Sequence, residues 1–263
     1  MAQLQFHFTL VSVCMMVIMV LEWLWPWRKH DSAASARWGA NLALTALSDG
    51  LALWAAWGIA QALGAWWSPA HGLVARLNLN GWWAGGITWL ALQVVNYVSH
   101  LLSHKVHWMW RLHRVHHSDT VMDVTLARRH HPLESLVSLA FVLPVLLALG
   151  TPGQVMVWVS IAGVAFEMWT HANITLPARL DRCLSLVLVT PDAHRLHHCA
   201  DPRYTDSNYA NALLLLDRIF GTWTSVPASQ QRNLDIGLEY FRHPRNQGLL
   251  SLLRQPFWNP TAP

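Results

Sequence analysis

Long apolar stretches alternate with short polar ones along the first two thirds of the chain. An apolar run of about 20 residues is long enough to cross a hydrocarbon core of about 30 Å as a helix. Two shorter runs flank Gly150, Thr151, Pro152 and Gly153, a turn composition that predicts a helical hairpin. The pattern predicts three spans followed by the two arms of the hairpin, at residues 6–25, 40–67, 82–102, 135–150 and 154–169.

The chain becomes more polar after about residue 178, which predicts an extramembrane cap. We therefore predict an all-α integral membrane bundle of three spans plus a helical hairpin, with a helical cap on one side. The chain is expected to form a single domain, 1–263. It divides into anchor spans 1–104, a first cap segment 105–134, the hairpin 135–170 and a C-terminal cap segment 171–263.

Composition supports a membrane protein. Hydrophobic residues make up 53% of the chain and charged residues only 12%, about half the share found in ordinary soluble domains. Several of the 17 tryptophans flank the apolar runs, as amphipathic rings do at a membrane interface. The start of the chain has neither a basic segment nor a small-residue cleavage site. We therefore interpret residues 5–27 as a retained anchor.

Charge predicts an orientation for these spans. Between the second and third spans the loop 68–81 carries only Arg76, whereas the loops on the other side are basic and therefore face the cytoplasm. The net charge of +4 comes from residues that form no continuous run, so we expect a membrane surface rather than nucleic acid as the partner. The short chain, with no organelle retention signal, favours a bacterial inner membrane. The basic loop residues are Arg28, Lys29, Arg37, Lys105, Arg111, Arg114, Arg128 and Arg129.

Histidines are concentrated in three short motifs. The chain has 16 histidines in 263 residues, so an HxxHH motif is expected by chance about 0.06 times, yet two are present. An HxxxH motif precedes them at the end of the third predicted span. The three motifs consist of His100 and His104, then His113, His116 and His117, then His194, His197 and His198.

This spacing is typical of metal ligands. Residues at i, i+3 and i+4 share one face of a helix, so each HxxHH presents its imidazoles together. Eight imidazoles exceed what one tetrahedral zinc needs and suit two first-row metal ions with open positions. His171, where the hairpin leaves the membrane, is a ninth candidate ligand, and His131 is a further candidate. We interpret the isolated histidines as structural, with His130 at the surface or supporting a ligand. The isolated ones are His7, His30, His71, His107 and His243.

Acidic residues near the motifs are candidates for holding the ligand rings. Metal-bound imidazoles usually donate their second N–H to a carboxylate or a carbonyl. Glu134, Asp192 and Asp206 lie close to the motifs in sequence. Glu167 lies one turn before His171 inside an apolar run, where a carboxylate is costly unless it supports or binds the metal. The pattern assigns no role to Asp49 in the second span.

The ordered motifs resemble those of the fatty acid hydroxylase/sterol desaturase superfamily. Besides the three histidine motifs, the resemblance includes an RxHPxE-like element, an HxN-like element and a closing DSNY…DRIFGTW stretch, and it covers about residues 100–223. These elements contain, in chain order, Arg129, His131, Glu134, His171, Asn173, Asp206, Asn208, Tyr209, Asp217 and Trp223.

The resemblance implies membrane helices carrying a cytoplasmic helical cap with a non-heme di-iron site. It implies nine ligands, namely the eight motif histidines and His171, with Asn173 and Asn208 as possible supporting residues. Some relatives have a tenth histidine where this chain has Thr175. No electron-transfer segment is evident at either end. The electrons are therefore expected from a separate ferredoxin-, cytochrome b5- or reductase-type donor.

The expected activity is O2-dependent hydroxylation of a lipid C–H bond, with desaturation left open. Fatty acyl chain, sterol-like ring, carotenoid and ether lipid all remain candidate substrates. Two alternatives come from other classes. A membrane heme electron-transfer protein needs few histidines, and a divalent-metal transporter places its ligands along the middle of its spans. A zinc hydrolase would need an HExxH helix, which the sequence lacks.

Overall fold

The computed structural model describes residues 2–29, 34–64 and 66–259, and it is helical as predicted. Five long helices form the bundle, and five shorter ones of more than one turn form most of the cap. The bundle consists of α1 (Ala2–Leu24), α2 (Ala34–Leu63), α3 (Gly81–Lys105), α5 (Pro132–Leu149) and α6 (Gly153–His171). The cap contains α4 (His107–His117), α7 (Ala178–Leu184), α8 (Pro191–His197), α9 (Leu215–Phe220) and α10 (Leu249–Arg254).

Among the described helices, three are long and apolar enough to cross a membrane, over Gln5–Leu24, Arg37–Leu63 and Pro132–Leu149. The first two are the first two predicted spans, and the third is the first arm of the predicted hairpin. The third predicted span forms the 25-residue helix α3, about 37 Å long at 1.5 Å per residue. This helix is not among the three, because it carries a row of polar residues and ends in His100, His104 and Lys105.

Close backbone packing fixes the end of the bundle that lies away from the histidines. Helix α5 stops at Gly150, which has a positive φ of 63°. A Cβ on Gly150 would lie 2.5 Å from the carbonyl oxygen of Pro69, so glycine is needed both for the conformation and for the contact. The Thr88 and Thr151 hydroxyls share a hydrogen bond of 2.6 Å, which joins α3 to the hairpin turn. The hairpin turn therefore packs beside α3 at the level of Thr88.

A buried ionic network joins the cap to α2. Arg129 is fully buried and donates to Asp119 at 3.0 Å and to the Val115 carbonyl at 3.0 Å. Arg37 also binds Asp119, at 2.7 Å, and it pairs with Asp123. Two of the basic residues that contributed to the predicted orientation are thus buried structural cations. Their side chains hold the cap in place rather than meeting a membrane surface.

Candidate metal centre

Two short cap helices carry the HxxHH motifs. Helix α4 starts two residues after α3 ends, so His113, His116 and His117 lie close to the HxxxH motif of α3. Helix α8 begins with Pro191 after an N-cap at Thr190, whose side chain accepts a hydrogen bond from the Ala193 amide at 3.3 Å. Proline at the first helical position and threonine at the N-cap position both favour a helix that starts here.

The nine predicted ligands form two adjacent groups. Within each group the candidate ligand atoms lie within 4.8 Å of one another. The larger, called the five-histidine group, consists of His100, His104, His113, His117 and His197. The smaller, called the four-histidine group, consists of His116, His171, His194 and His198.

Each HxxHH motif contributes to both groups. His116 joins the four-histidine group, whereas its neighbour His117 joins the other. Likewise His198 and His197 belong to different groups. The rings of His117 and His198 stack across the boundary with centroids 4.4 Å apart. Two metal ions held in these groups would therefore be neighbours.

Backbone carbonyls hold three of the rings from behind. His100 Nδ1 lies 2.6 Å from the Tyr209 carbonyl, and His197 Nδ1 lies 2.7 Å from the Ser207 carbonyl. His171 Nδ1 lies 2.7 Å from the Glu167 carbonyl. Since a carbonyl only accepts, each of these Nδ1 atoms carries the proton and each Nε2 has a free lone pair.

A carboxylate holds a fourth ring. Glu134 Oε1 accepts from His113 Nδ1 at 2.6 Å and from His130 Nδ1 at 3.2 Å. The ring of His130 also stacks on that of His116, with centroids 4.6 Å apart. Glu134 thus supports a ligand ring directly, and His130 lies behind both groups as a supporting side chain.

The Nε2 atoms then face one another in a way that fits a bound cation. His100 Nε2 lies 3.0 Å from His113 Nε2 and 3.0 Å from His197 Nε2. All three have their proton on Nδ1, so the approaching atoms are lone pairs that repel each other unless a positive ion lies between them. Buried Nε2 atoms of His104 and His198 have no hydrogen-bond partner within the described structure. The residues present therefore fit metal ions in both groups.

Burial keeps five of the cap imidazoles neutral, as metal ligation requires. It lowers the pKa of His197 to about 3. Burial, with the neighbouring imidazoles, also holds the pKa well below its ordinary value at four further cap ligands. These are His116, His117, His194 and His198.

The closing sequence element supplies carbonyls to the five-histidine group. Asn208 has a left-handed φ of 53°, a conformation that asparagine adopts more readily than most residues. Its side chain donates to the Ala193 and Thr224 carbonyls, both at 2.9 Å, and so holds the turn that presents Ser207 and Tyr209. Sequence reasoning did not find these two backbone partners, although the DSNY element marked their position.

The Asp206 carboxylate lies 3.4 Å from His104 Nδ1 and binds Lys105 at 2.7 Å. Among the acidic candidates, the two whose carboxylates approach candidate ligand rings are Asp206 and Glu134. Glu167 supports His171 through its backbone, while its carboxylate binds Arg128 at 2.8 Å. Asp192 pairs with Arg195 at 2.5 Å.

The remaining candidates lie outside the two groups. Both ring nitrogens of His131 are used elsewhere, since Nδ1 accepts from the Leu133 amide at 3.2 Å and Nε2 lies 3.3 Å from the Leu253 carbonyl. Asn173 forms a pair of hydrogen bonds with the backbone of Arg28. His30, interpreted above as structural, lies outside the described residues.

A cavity of about 440 Å³ opens between α2, α3, α5 and α6 and reaches the histidines. It is bounded by members of both groups, so a molecule in it would contact either metal position. These members are His100, His113, His116, His171 and His194.

Comparison with known proteins agrees with this geometry. A buried double cluster of imidazoles at one end of a helical bundle is typical of a histidine-rich metal site. The family model for fatty acid hydroxylase matches residues 86–222, more than half of the chain. The chain therefore belongs to the fatty acid hydroxylase family.

The similar curated proteins act on lipids. The chain is 31% identical over 150 residues to an alkylglycerol monooxygenase of Xenopus tropicalis, covering 57% of this chain and 31% of that protein. It is 32% identical over 145 residues to the human alkylglycerol monooxygenase, covering 54% and 32%. It is 29% identical over 161 residues to an ornithine lipid hydroxylase of Rhizobium tropici, covering 61% and 46%. The chain thus spans less than half the length of these relatives. No solved structure matches it significantly.

Proposed function

We propose that the chain is a membrane-bound di-iron oxygenase that hydroxylates a C–H bond of a lipid. The observation that carries this proposal is the pair of adjacent histidine groups beside a cavity within the helical bundle. The relatives support it, since an alkylglycerol monooxygenase and an ornithine lipid hydroxylase both oxidise lipids by name. Their names also favour hydroxylation over desaturation.

The iron ions, when bound, would supply the O2 chemistry by which one oxygen atom enters the C–H bond and the other leaves as water, with two electrons and two protons from outside. The five- and four-histidine groups would hold one ion each. The Ser207 and Tyr209 carbonyls and the Glu134 carboxylate orient the rings and keep the protons on Nδ1. Burial keeps water away from the histidine rings, and the cavity would hold the substrate beside them.

The two electrons are proposed to come from a separate donor protein of the ferredoxin, cytochrome b5 or reductase type. We also propose that the histidine groups face the cytoplasm. Among the described lysines and arginines, Arg76 alone lies in the connection at the opposite end, which the positive-inside tendency would assign to the outer side. A bacterial inner membrane, which the sequence favours, is our proposed location.

The heme and transporter alternatives are not favoured. A heme needs two axial ligands, whereas nine imidazoles converge here. A transporter would distribute its ligands along a pathway, whereas these lie together at one end of the bundle.

Elemental analysis and the visible spectrum of detergent-purified protein test the proposal, followed by mass spectrometry of lipids incubated with O2 and a reductant. We expect about two irons per chain and no Soret band. His116→Ala should mainly empty the four-histidine group and His197→Ala should weaken the five-histidine group. Each is expected to abolish hydroxylation, while the exposed His71→Ala retains both iron and activity. A Soret band, or full turnover by either cage variant, would overturn the proposal.

A further inference from the structure

A second cavity lies in the cap, where helix α8 separates it from the histidine groups. It has a volume of about 1010 Å³, and none of the nine candidate ligands borders it. Ala193 and Leu196 of α8 form part of its wall. They lie on nearly the opposite face of that helix from His194 and His197, and a helix with its side chains is about 10 Å across. We call this space the cap cavity.

Part of the wall of the cap cavity is apolar. Trp27 and Leu196 border it and are buried, and Leu176, Trp223 and Val226 border it and are half-buried. Such a wall offers contacts to hydrocarbon away from water. The cap cavity therefore favours a ligand with an apolar part.

Three exposed arginines border the same cavity, namely Arg182, Arg218 and Arg232. Within the described structure, none of them forms an ion pair with a carboxylate. Arg218 donates one hydrogen bond to the Ser185 carbonyl at 2.9 Å, which leaves its other N–H groups available. A guanidinium group presents a planar fork of donors that matches a phosphate or a carboxylate. The polar part of a ligand would therefore be an anion.

The balance of charge in the cap cavity is positive. Two carboxylates border it, and one of them, Asp192, is paired with the buried Arg195 at 2.5 Å. The other is Asp181. Even with Asp181 ionised, the three unpaired arginines exceed it by two positive charges, and metal ions in the histidine groups would only add to this excess. The cavity therefore attracts an anion rather than a cation.

The cap cavity lies close to the end of a candidate membrane span. Trp27 follows the span Gln5–Leu24 by three residues, so at most about 10 Å of chain separates it from the span. Thr175, which also borders the cavity, donates its amide to the Trp25 carbonyl at 3.1 Å. Leu186 borders the cavity and is 60% exposed. Arginines beside an exposed apolar side chain at this level suit contact with the surface of a bilayer.

We propose that the cap cavity binds one anionic lipid of the surrounding bilayer. Its phosphate is held by Arg182, Arg218 and Arg232, and its apolar part packs against Trp27 and Leu196. This lipid is not the substrate, because α8 lies between it and the metal positions. By packing against α8, it stabilises the helix that carries the second HxxHH motif. The inference is independent of the proposed hydroxylase function.

Cys183 provides a probe of occupancy, because it is exposed and borders the cap cavity. The rate at which a maleimide alkylates it is measured by peptide mass spectrometry, on protein in neutral detergent. Phosphatidylglycerol and phosphatidylcholine of equal chain length are added in parallel titrations. We expect half-protection of Cys183 to need about ten-fold less phosphatidylglycerol than phosphatidylcholine. Cys14 on α1 is the internal control, and its rate should not distinguish the two lipids.

Variants connect this protection to the cap cavity, with rates compared with and without lipid for each one. Arg182→Gln and Arg232→Gln should each weaken protection by phosphatidylglycerol about two- to five-fold, as expected for an exposed charge. Ser225→Trp fills the cavity without removing a charge and should also weaken it. Arg245→Gln, at an exposed arginine of the cap that does not border the cavity, is the matched control. Thermal unfolding confirms that each variant folds.

The outcomes separate the lipid site from its alternatives. Equal protection by both lipids, or protection by phosphatidylglycerol that neither arginine variant weakens, would overturn the inference. Full protection by inorganic phosphate alone would indicate a small-anion site, and protection by polyglutamate would indicate an acidic protein partner. Either result would reject the lipid.

The inference and the proposed function can fail separately, because alkylation requires neither bound iron nor O2. Selective protection in a protein that never oxidises a lipid would support the cap cavity and count against the hydroxylase. An active hydroxylase whose Cys183 no lipid protects would reject the cap cavity alone.

Discussion

Glu134 connects the metal centre to the first turn of α5, and replacing it by glutamine tests how the five-histidine group is held. Its Oε1 accepts hydrogen bonds from His113 Nδ1 and His130 Nδ1, at 2.6 and 3.2 Å. Glutamine has nearly the same shape and can still offer one carbonyl oxygen to His113. The substitution therefore removes the negative charge with little change in packing.

The size of the effect follows from the position of Glu134. Losing a carboxylate that supports a metal-bound imidazole typically lowers metal affinity by about 10- to 100-fold, or roughly 1.4 to 2.7 kcal/mol. His113 belongs to the five-histidine group, where four other imidazoles remain. We expect Glu134→Gln to weaken iron binding at that group by about this factor and to change the four-histidine group much less.

The assay is an anaerobic titration of ferrous iron against a competing chelator, which reports two affinities per chain. Glu239→Gln, at an exposed glutamate, is the matched control and should leave both unchanged. Thermal unfolding of the metal-free proteins shows whether the variant folds. A variant that folds normally with both affinities unchanged, or with only the four-histidine group weakened, would refute the role assigned to Glu134.

Two further predictions concern stability. Arg129→Met leaves the buried Asp119 with Arg37 as its remaining cationic partner, so we expect destabilisation of about 3–5 kcal/mol and a clearly lower unfolding temperature. The exposed Arg203→Met should leave that temperature unchanged, and equal behaviour of the two variants would contradict the prediction. Metal-free protein should lose stability as pH falls from about 6.5 towards 3, because the folded-state pKa of His197 is lowered to about 3 while the unfolded chain takes up protons near 6.5. Stability that stays constant from pH 7 to 5 would show that this imidazole is not held neutral.

The helical framework could be predicted because apolar run length and turn composition are local properties. The hairpin predicted at 135–150 and 154–169 is observed as Pro132–Leu149 and Gly153–His171. Hydropathy was a weaker guide to the third predicted span, which forms α3. Asn96, Ser99 and Ser103 line the cavity beside the histidines along one side of α3 and make that helix less apolar than a lipid-facing one. Hydropathy cannot distinguish a polar face towards a cavity from one towards water.

The spacing of the histidines along the sequence predicted the candidate ligands. It did not predict how they divide between the five-histidine and the four-histidine groups. Adjacent histidines such as His116 and His117 differ by about 100° around a helix, so they can face different centres. Which centre each one meets depends on how α4 and α8 pack against α3 and α6. Similarly, the carbonyls of Ser207 and Tyr209 reach the site only because Asn208 turns the backbone, a tertiary feature without a side-chain signal.

The unequal division of the nine histidines bears on whether the chain supplies a tenth ligand. Thr175 is exposed, and its amide donates to the Trp25 carbonyl at 3.1 Å, so this position faces the connection after α1 rather than the cage. His131 is the N-cap residue of α5, where its side chain accepts a hydrogen bond from the Leu133 amide. We therefore expect the four-histidine group to hold its ion with four protein ligands. Three of them, His116, His171 and His194, border the cavity beside the histidines. A group with fewer ligands and more contact with the cavity offers the freer coordination position, so the substrate should be presented on that side of the centre.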